Sequence, residues 1–234
     1  MSQVAVADAV RASNRGGRAT RLSLIQCAER LFAERGIDTV SVSEILDATG
    51  QRNKNAIHYH FGGKEALVTA IAEHRSQALN ERRGELLTEL RQRGLEHDIS
   101  ALSSTLVAPL AELLDAEGCY FLGFLARYHL DRSRRQLVAS VDPRVTRTYR
   151  DAFRLLAEAS GLTRSAMEIR FEIAMDMIFT SLASRQAEES STRGPTRASR
   201  AAFVEHLVAA VTGCFTTPNR PAAGDGMLDV LESQ

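Results

Sequence analysis

The sequence predicts an all-α protein of roughly nine helices: an N-terminal three-helix helix-turn-helix domain followed by a larger helical domain. Three observations carry that prediction. Apolar residues recur at helical spacing along most of the chain, no stretch alternates Val, Ile and Thr with polar residues at the period of a strand, and glycines and prolines fall between the periodic segments. The 234 residues suit one large or two small domains, and 44% hydrophobic with 25% charged residues is a globular composition.

Residues 1–17 lack apolar periodicity and contain Gly16-Gly17, so they read as a flexible basic arm. From Arg18 a first helix shows in Leu24, Ile25, Ala28, Leu31 and Phe32, with Gly36 as its stop. Ser41-Val42-Ser43-Glu44 has the form of a capping box and opens a short second helix buried through Val42, Ile45 and Leu46. A tight turn at Thr49-Gly50 leads to a third helix over 53–60, closed by Phe61-Gly62-Gly63. The domain of three helices spans 18–64, and the body spans 65–216. A long helix from Lys64 is followed by segments at about 99–115, 118–131, 143–159, 163–188 and 196–216, with Gly161, Pro143 and Pro195 at the junctions. The tail, 217–234, holds Pro218, Pro221, Gly224 and Gly226 and reads as frayed.

The balanced charge hides an asymmetry. Residues 1–64 carry nine basic against six acidic side chains, whereas 65–234 carry twenty against twenty-three, which suits a chain that meets a polyanion with one end. From Gly50 to Lys64 there is no acid. In the third helix Ala56, Ile57 and His60-Phe61 can face inward, leaving Arg52, Asn53, Lys54, Asn55, His58 and Tyr59 for a major groove. A solvated bundle helix, the bland alternative, usually mixes both signs.

Gly36, Ser41, Ile45, Gly50, Tyr59-His60-Phe61, Lys64 and Leu67, above all the ending H-F-x-x-K-x-x-L, resemble the TetR family of repressors over about residues 18–70. The resemblance implies a DNA-binding domain, a C-terminal helical ligand-binding and dimerisation domain, and a homodimer. It places Lys54 and Asn55 at base-contacting positions, His58 and Tyr59 near backbone and bases, Lys64 on a phosphate, and Ser41 and Ser43 at the groove-facing start of the second helix. Arg18, at the start of the first helix, and the arginines of the arm join the phosphate contacts. The stretch from Gly50 to Phe61 is one residue longer than the family pattern, with His58 in place of Tyr and Thr49 in place of a small residue.

In the body, 163–188 is apolar nearly all round and 196–216 carries a stripe of Phe203, Leu207, Ala210, Val211 and Cys214. The resemblance makes these the dimer helices. The segment 120–129 is the densest in aromatics, and a pocket of Phe121, Phe124, Tyr128, Phe171 and Met175, with Arg127 or His129 as polar handle, suits a mostly apolar effector. Ordinary core packing is the competing explanation for each of them.

The expected function is a cytoplasmic DNA-binding regulator, a repressor released from a palindromic operator by a small molecule. The alternative is a helical adaptor that binds protein and not DNA. No phosphate-cradling glycine loop, nucleophile elbow or E-x-x-H pair suggests an enzyme. His58 and His60 lack partners for a metal site, and the three cysteines are not at ligand spacing, so no cofactor or metal is expected. No apolar run approaches the ~18 residues of a membrane helix.

Overall fold

The computed structural model describes residues 3–130 (for Gln3–Arg15, the backbone), 146–191 and 198–218. They form nine α-helices and no strand: α1 Gln3–Arg35, α2 Val42–Ala48, α3 Ala56–Phe61, α4 Lys64–Gln92, α5 Ile99–Ala111, α6 Phe121–Leu130, α7 Arg147–Ser160, α8 Arg164–Glu189 and α9 Arg200–Thr216. A single 3-10 turn, Glu112–Asp115, extends α5. Most of the expected tail, with Leu228 and Leu231, lies outside the described residues, as do Pro143 and Pro195.

Residues 3–17 of the expected arm lie in α1, which begins at Gln3. Residues 4–12 are rich in alanine, the best helix former, and the two glycines lower helix propensity without breaking a helix this long. From Arg18 the apolar spacing works as expected. Leu24, Ile25, Ala28 and Phe32 of α1 meet Ile45 and Leu46 of α2, Ala56 and Ile57 of α3, and Leu67, Val68 and Ile71 of α4 in one buried cluster. Gly36, at φ +93°, ends α1 by donating its N–H to the Phe32 carbonyl at 2.9 Å, a left-handed stop that favours glycine.

The 29-residue α4 packs on α1 and α3 and also on α5 and α7. Its first half closes the small domain, and its second half buries Leu87 and Leu90 against the body. There α5 packs on α4, α7 and α9, α6 packs on α8 and α1, and α8 pairs with α9. Pro109 lies inside α5 and has no N–H for the Thr105 carbonyl one turn back. The buried Arg83 of α4 donates its Nε to that carbonyl at 3.1 Å, which gives a guanidinium in the core its reason to be there.

Two contacts fasten the small domain to the body. Glu29 of α1, 1% exposed, accepts from Arg75 Nε and Nη2 at 2.9 and 3.0 Å and from the Tyr120 backbone N–H at 3.1 Å, joining α1, α4 and the entry to α6. Arg127 of α6 donates to the Ala33 and Glu34 carbonyls at 2.7 and 3.0 Å. These are among the last carbonyls of α1, which the helix itself leaves unpaired, and a cation is favoured at that negative end. Between these contacts Gly123 lets α6 lie close on α1: a Cβ there would come within 3.1 Å of the Ala33 methyl.

Candidate DNA-binding face and effector cleft

The face expected to meet DNA starts from its local caps. Ser41 accepts from the Glu44 N–H at 3.2 Å, while Glu44 Oε2 accepts from the Ser41 N–H at 2.7 Å and from its hydroxyl at 2.8 Å. Arg35 completes the cluster at 2.6 Å on Oε1. These bonds, Ser41's backbone N–H foremost, hold the Glu44 carboxyl down at about 2. The Ser41 hydroxyl therefore spends its proton on Glu44 and fixes the angle of α2, leaving the exposed Ser43 as the hydroxyl open to a phosphate.

The connection from α2 to α3 differs from expectation. It runs over residues 49–55, and α3 starts at Ala56 rather than Asn53. The cause is local: Asn53 Oδ1 accepts the Asn55 N–H at 2.9 Å, and its carbonyl takes the Ala56 N–H at 3.1 Å. An asparagine that bonds its own backbone two residues on competes with helix and delays it. Arg52, Asn53, Lys54 and Asn55 project from the entry to α3, and His58 and Tyr59 from the helix itself.

All six are exposed, Tyr59 at 81%, while Ala56 and Ile57 pin the other side of α3 into the core. Arg18 is also exposed, on α1. Lys64, half-buried, opens α4 with its Nζ 5.8 Å from the Phe32 ring centre. A cation on the first turn of a helix opposes the helix dipole, yet beside free N–H groups it is well placed for a phosphate. Arg21 lies one turn from Arg18 on α1. It stacks 5.0 Å over Phe61 at the end of α3.

The expected effector residues divide. Phe121, Phe124 and Tyr128 stack along α6 at 5.8 Å intervals, and Phe124 stacks on Phe32 of the small domain at 6.5 Å. Phe171 meets Tyr149, Phe153 and Phe215, and Met175 is buried beside it on α8. These five are buried. Of the six, only Arg127 lines the open cleft of about 750 Å³ beside α6. The half-buried His129, the other polar handle considered, sits 4.4 Å from the Phe179 ring and 3.7 Å from Asp176. The cleft lies where the end of α1, the 3-10 turn, α6 and the facing ends of α8 and α9 converge.

Comparison with known proteins addresses the small domain most directly. The family model for "Bacterial regulatory proteins, tetR family" matches residues 24–71. The HTH-type transcriptional repressor AcnR of Corynebacterium efficiens is 40% identical over 53 residues, 23% of this chain and 28% of that protein. The HTH-type transcriptional regulator TtgR of Pseudomonas putida is 33% identical over 64 residues, 27% of this chain and 30% of that protein. The chain thus matches less than a third of the length of these curated relatives. A crystal structure of the probable transcriptional regulatory protein RHA5900 is similar in fold across 85% of this chain and all of that one, at 20% identity and a TM-score of 0.50. The matched segment holds the end of α1, all of α2 and α3 and the start of α4, and over that segment the chain is similar to the tetR family of bacterial regulatory proteins.

Proposed function

We propose that this protein is a transcriptional regulator that binds a palindromic DNA operator as a homodimer and represses until a small molecule lowers its affinity. The observation that carries this reading is the acid-free segment from Gly50 to Lys64, whose cations, amides and aromatic hydroxyl face solvent from an anchored helix. Lys64, Ser43, Arg18 and Arg21 suit phosphates, which set register and most of the salt dependence. Lys54 and Asn55 suit base edges, the amide matching adenine and the ammonium guanine.

Pairing of two subunits is supported by Ile169 and Ile173, four residues apart on α8 and 57% and 54% exposed. Apolar side chains at that spacing on one helix face are what a second copy would cover. Repression is the behaviour named for AcnR, and it is the sign we adopt. The adaptor reading has no observation in its favour.

The test compares two variants on operator and random DNA. Lys64→Ala is expected to weaken both alike and flatten the salt slope by about one. Asn55→Ala is expected to cost ~1–3 kcal/mol on the operator and little on random DNA. Equal losses for Asn55→Ala on the two DNAs would remove base reading from α3.

A further inference from the structure

We propose that the cleft between the end of α1 and the body is a binding site for a small organic cation, whose guanidinium or ammonium head competes with Arg127 for the carbonyls that end α1. The chemistry of the wall sets the ligand class. Among the described lining residues the carboxylates are Glu34, Asp115, Glu117 and Glu189 and the guanidiniums are Arg127 and Arg200, an excess of two negative charges.

Both guanidiniums are committed. Arg200 bridges Glu189, at 2.6 Å, and Asp115, while Arg127 is held by Ala33 and Glu34 of α1. An anion entering here would meet unspent carboxylates and a helix C-terminus, both repulsive. A cation finds Glu34 and Glu117, exposed to the cleft with no ion pair formed among the described residues, beside the negative end of α1. No group of three His, Cys, Asp or Glu side chains among the described residues is placed to hold a metal ion.

Apolar wall from Leu114, Ala126, Leu130, Ala183 and Ala187 calls instead for a carbon skeleton behind the charged head. A volume of about 750 Å³ is that of a small-molecule site.

The position supplies the consequence. The cleft wall includes the bonds that hold the small domain: Arg127 on α1, and the Cys119-Tyr120 strap, whose Cys119 carbonyl accepts from Gln186 of α8 at 2.8 Å and whose Tyr120 N–H reaches Glu29. A cation that takes the Ala33 and Glu34 carbonyls frees α6 from the end of α1 and changes the setting of the helices that follow. This second half rests on the regulator reading above; the binding half does not. By linkage, DNA and ligand must change each other's affinity by the same factor.

The test uses the full chain and two isosteric probes, 3-phenylpropylguanidinium and 3-phenylpropylurea, in calorimetry without DNA. The guanidinium is expected to bind roughly tenfold or more tighter than the urea, the worth of one charge-assisted hydrogen bond. The exposed double variant Glu34→Gln/Glu117→Gln should erase most of that preference. Arg127→Met should tighten guanidinium binding, since it vacates the carbonyls, an outcome a merely structural arginine would not produce. Equal binding of the two probes, an unaffected double variant, or weaker binding to Arg127→Met overturns the site. Guanidinium binding without any change in affinity for a selected operator overturns the coupling alone. Failure to bind any DNA, with guanidinium binding intact, counts against the regulator reading and leaves the cleft standing.

Discussion

Glu29 is the side chain through which the small domain, α4 and the entry to α6 are tied, so its replacement tests the interdomain account where it is strongest. Glu29→Gln keeps the shape and the acceptor for the Tyr120 N–H but removes the charge opposite the Arg75 fork. The side chains are 2% and 28% exposed, so the carboxylate is desolvated while the guanidinium keeps part of its water. Breaking a fully buried pair costs about 3–5 kcal/mol, and partial rehydration of Arg75 brings Glu29→Gln to about 2–3 kcal/mol. Arg75→Met strands the more deeply buried partner with one backbone N–H, so it should cost more, near the top of that range. The double variant should recover part of the loss. For a chain of this size about 2–4 °C per kcal/mol gives a fall of ~4–12 °C in melting temperature for Glu29→Gln. Urea unfolding of the parent, both single variants and the double variant measures this, with the exposed Arg82–Glu112 pair as a control that should move little. If Glu29→Gln stays within about 0.5 kcal/mol of the parent, or Arg75→Met is the milder change, the pair does not fasten the domains.

Arg83 and Pro109 should be coupled. Arg83→Met alone strands the Thr105 carbonyl and should cost about 1–3 kcal/mol, whereas in a Pro109→Ala background, where residue 109 can donate to that carbonyl, the cost should vanish or change sign. A double-mutant cycle by urea unfolding that shows additive costs would contradict this. Stability should also depend on His74, an exposed side chain whose pKa partial desolvation and the neighbouring Arg75 hold below the usual 6.5. Between that lowered value and 6.5 the unfolded chain binds the proton and the folded one does not. Its contribution is therefore complete above about pH 6.5 and lost as pH falls through the folded value. Urea midpoints across that window should fall less steeply for His74→Gln than for the parent; identical slopes would refute it.

What the sequence made legible was what neighbouring residues decide. The Leu24–Phe32 stripe, the stop at Gly36 and the Ser41–Glu44 capping box each act within a few residues, and each lies where the pattern placed it. The start of α3 was misplaced because Asn53 looks like an outward helical residue until its side chain is seen bonding the Asn55 N–H. The aromatics of α6 announced burial, but periodicity cannot say whether buried rings enclose a void or fill one, and here they stack. The cleft was illegible because it is made by contacts distant in sequence. Arg127 with Ala33 spans 94 positions and Gln186 with Cys119 spans 67, and no local pattern marks either.

Selection of bound DNA from a random pool by the purified full-length protein tests the central claim most directly. The account predicts an enriched consensus with twofold symmetry whose half-site centres lie ~34–36 Å apart, about one helical turn or a multiple of it. A pool that stays unenriched at low salt, or a consensus without symmetry bound by single chains, would contradict it.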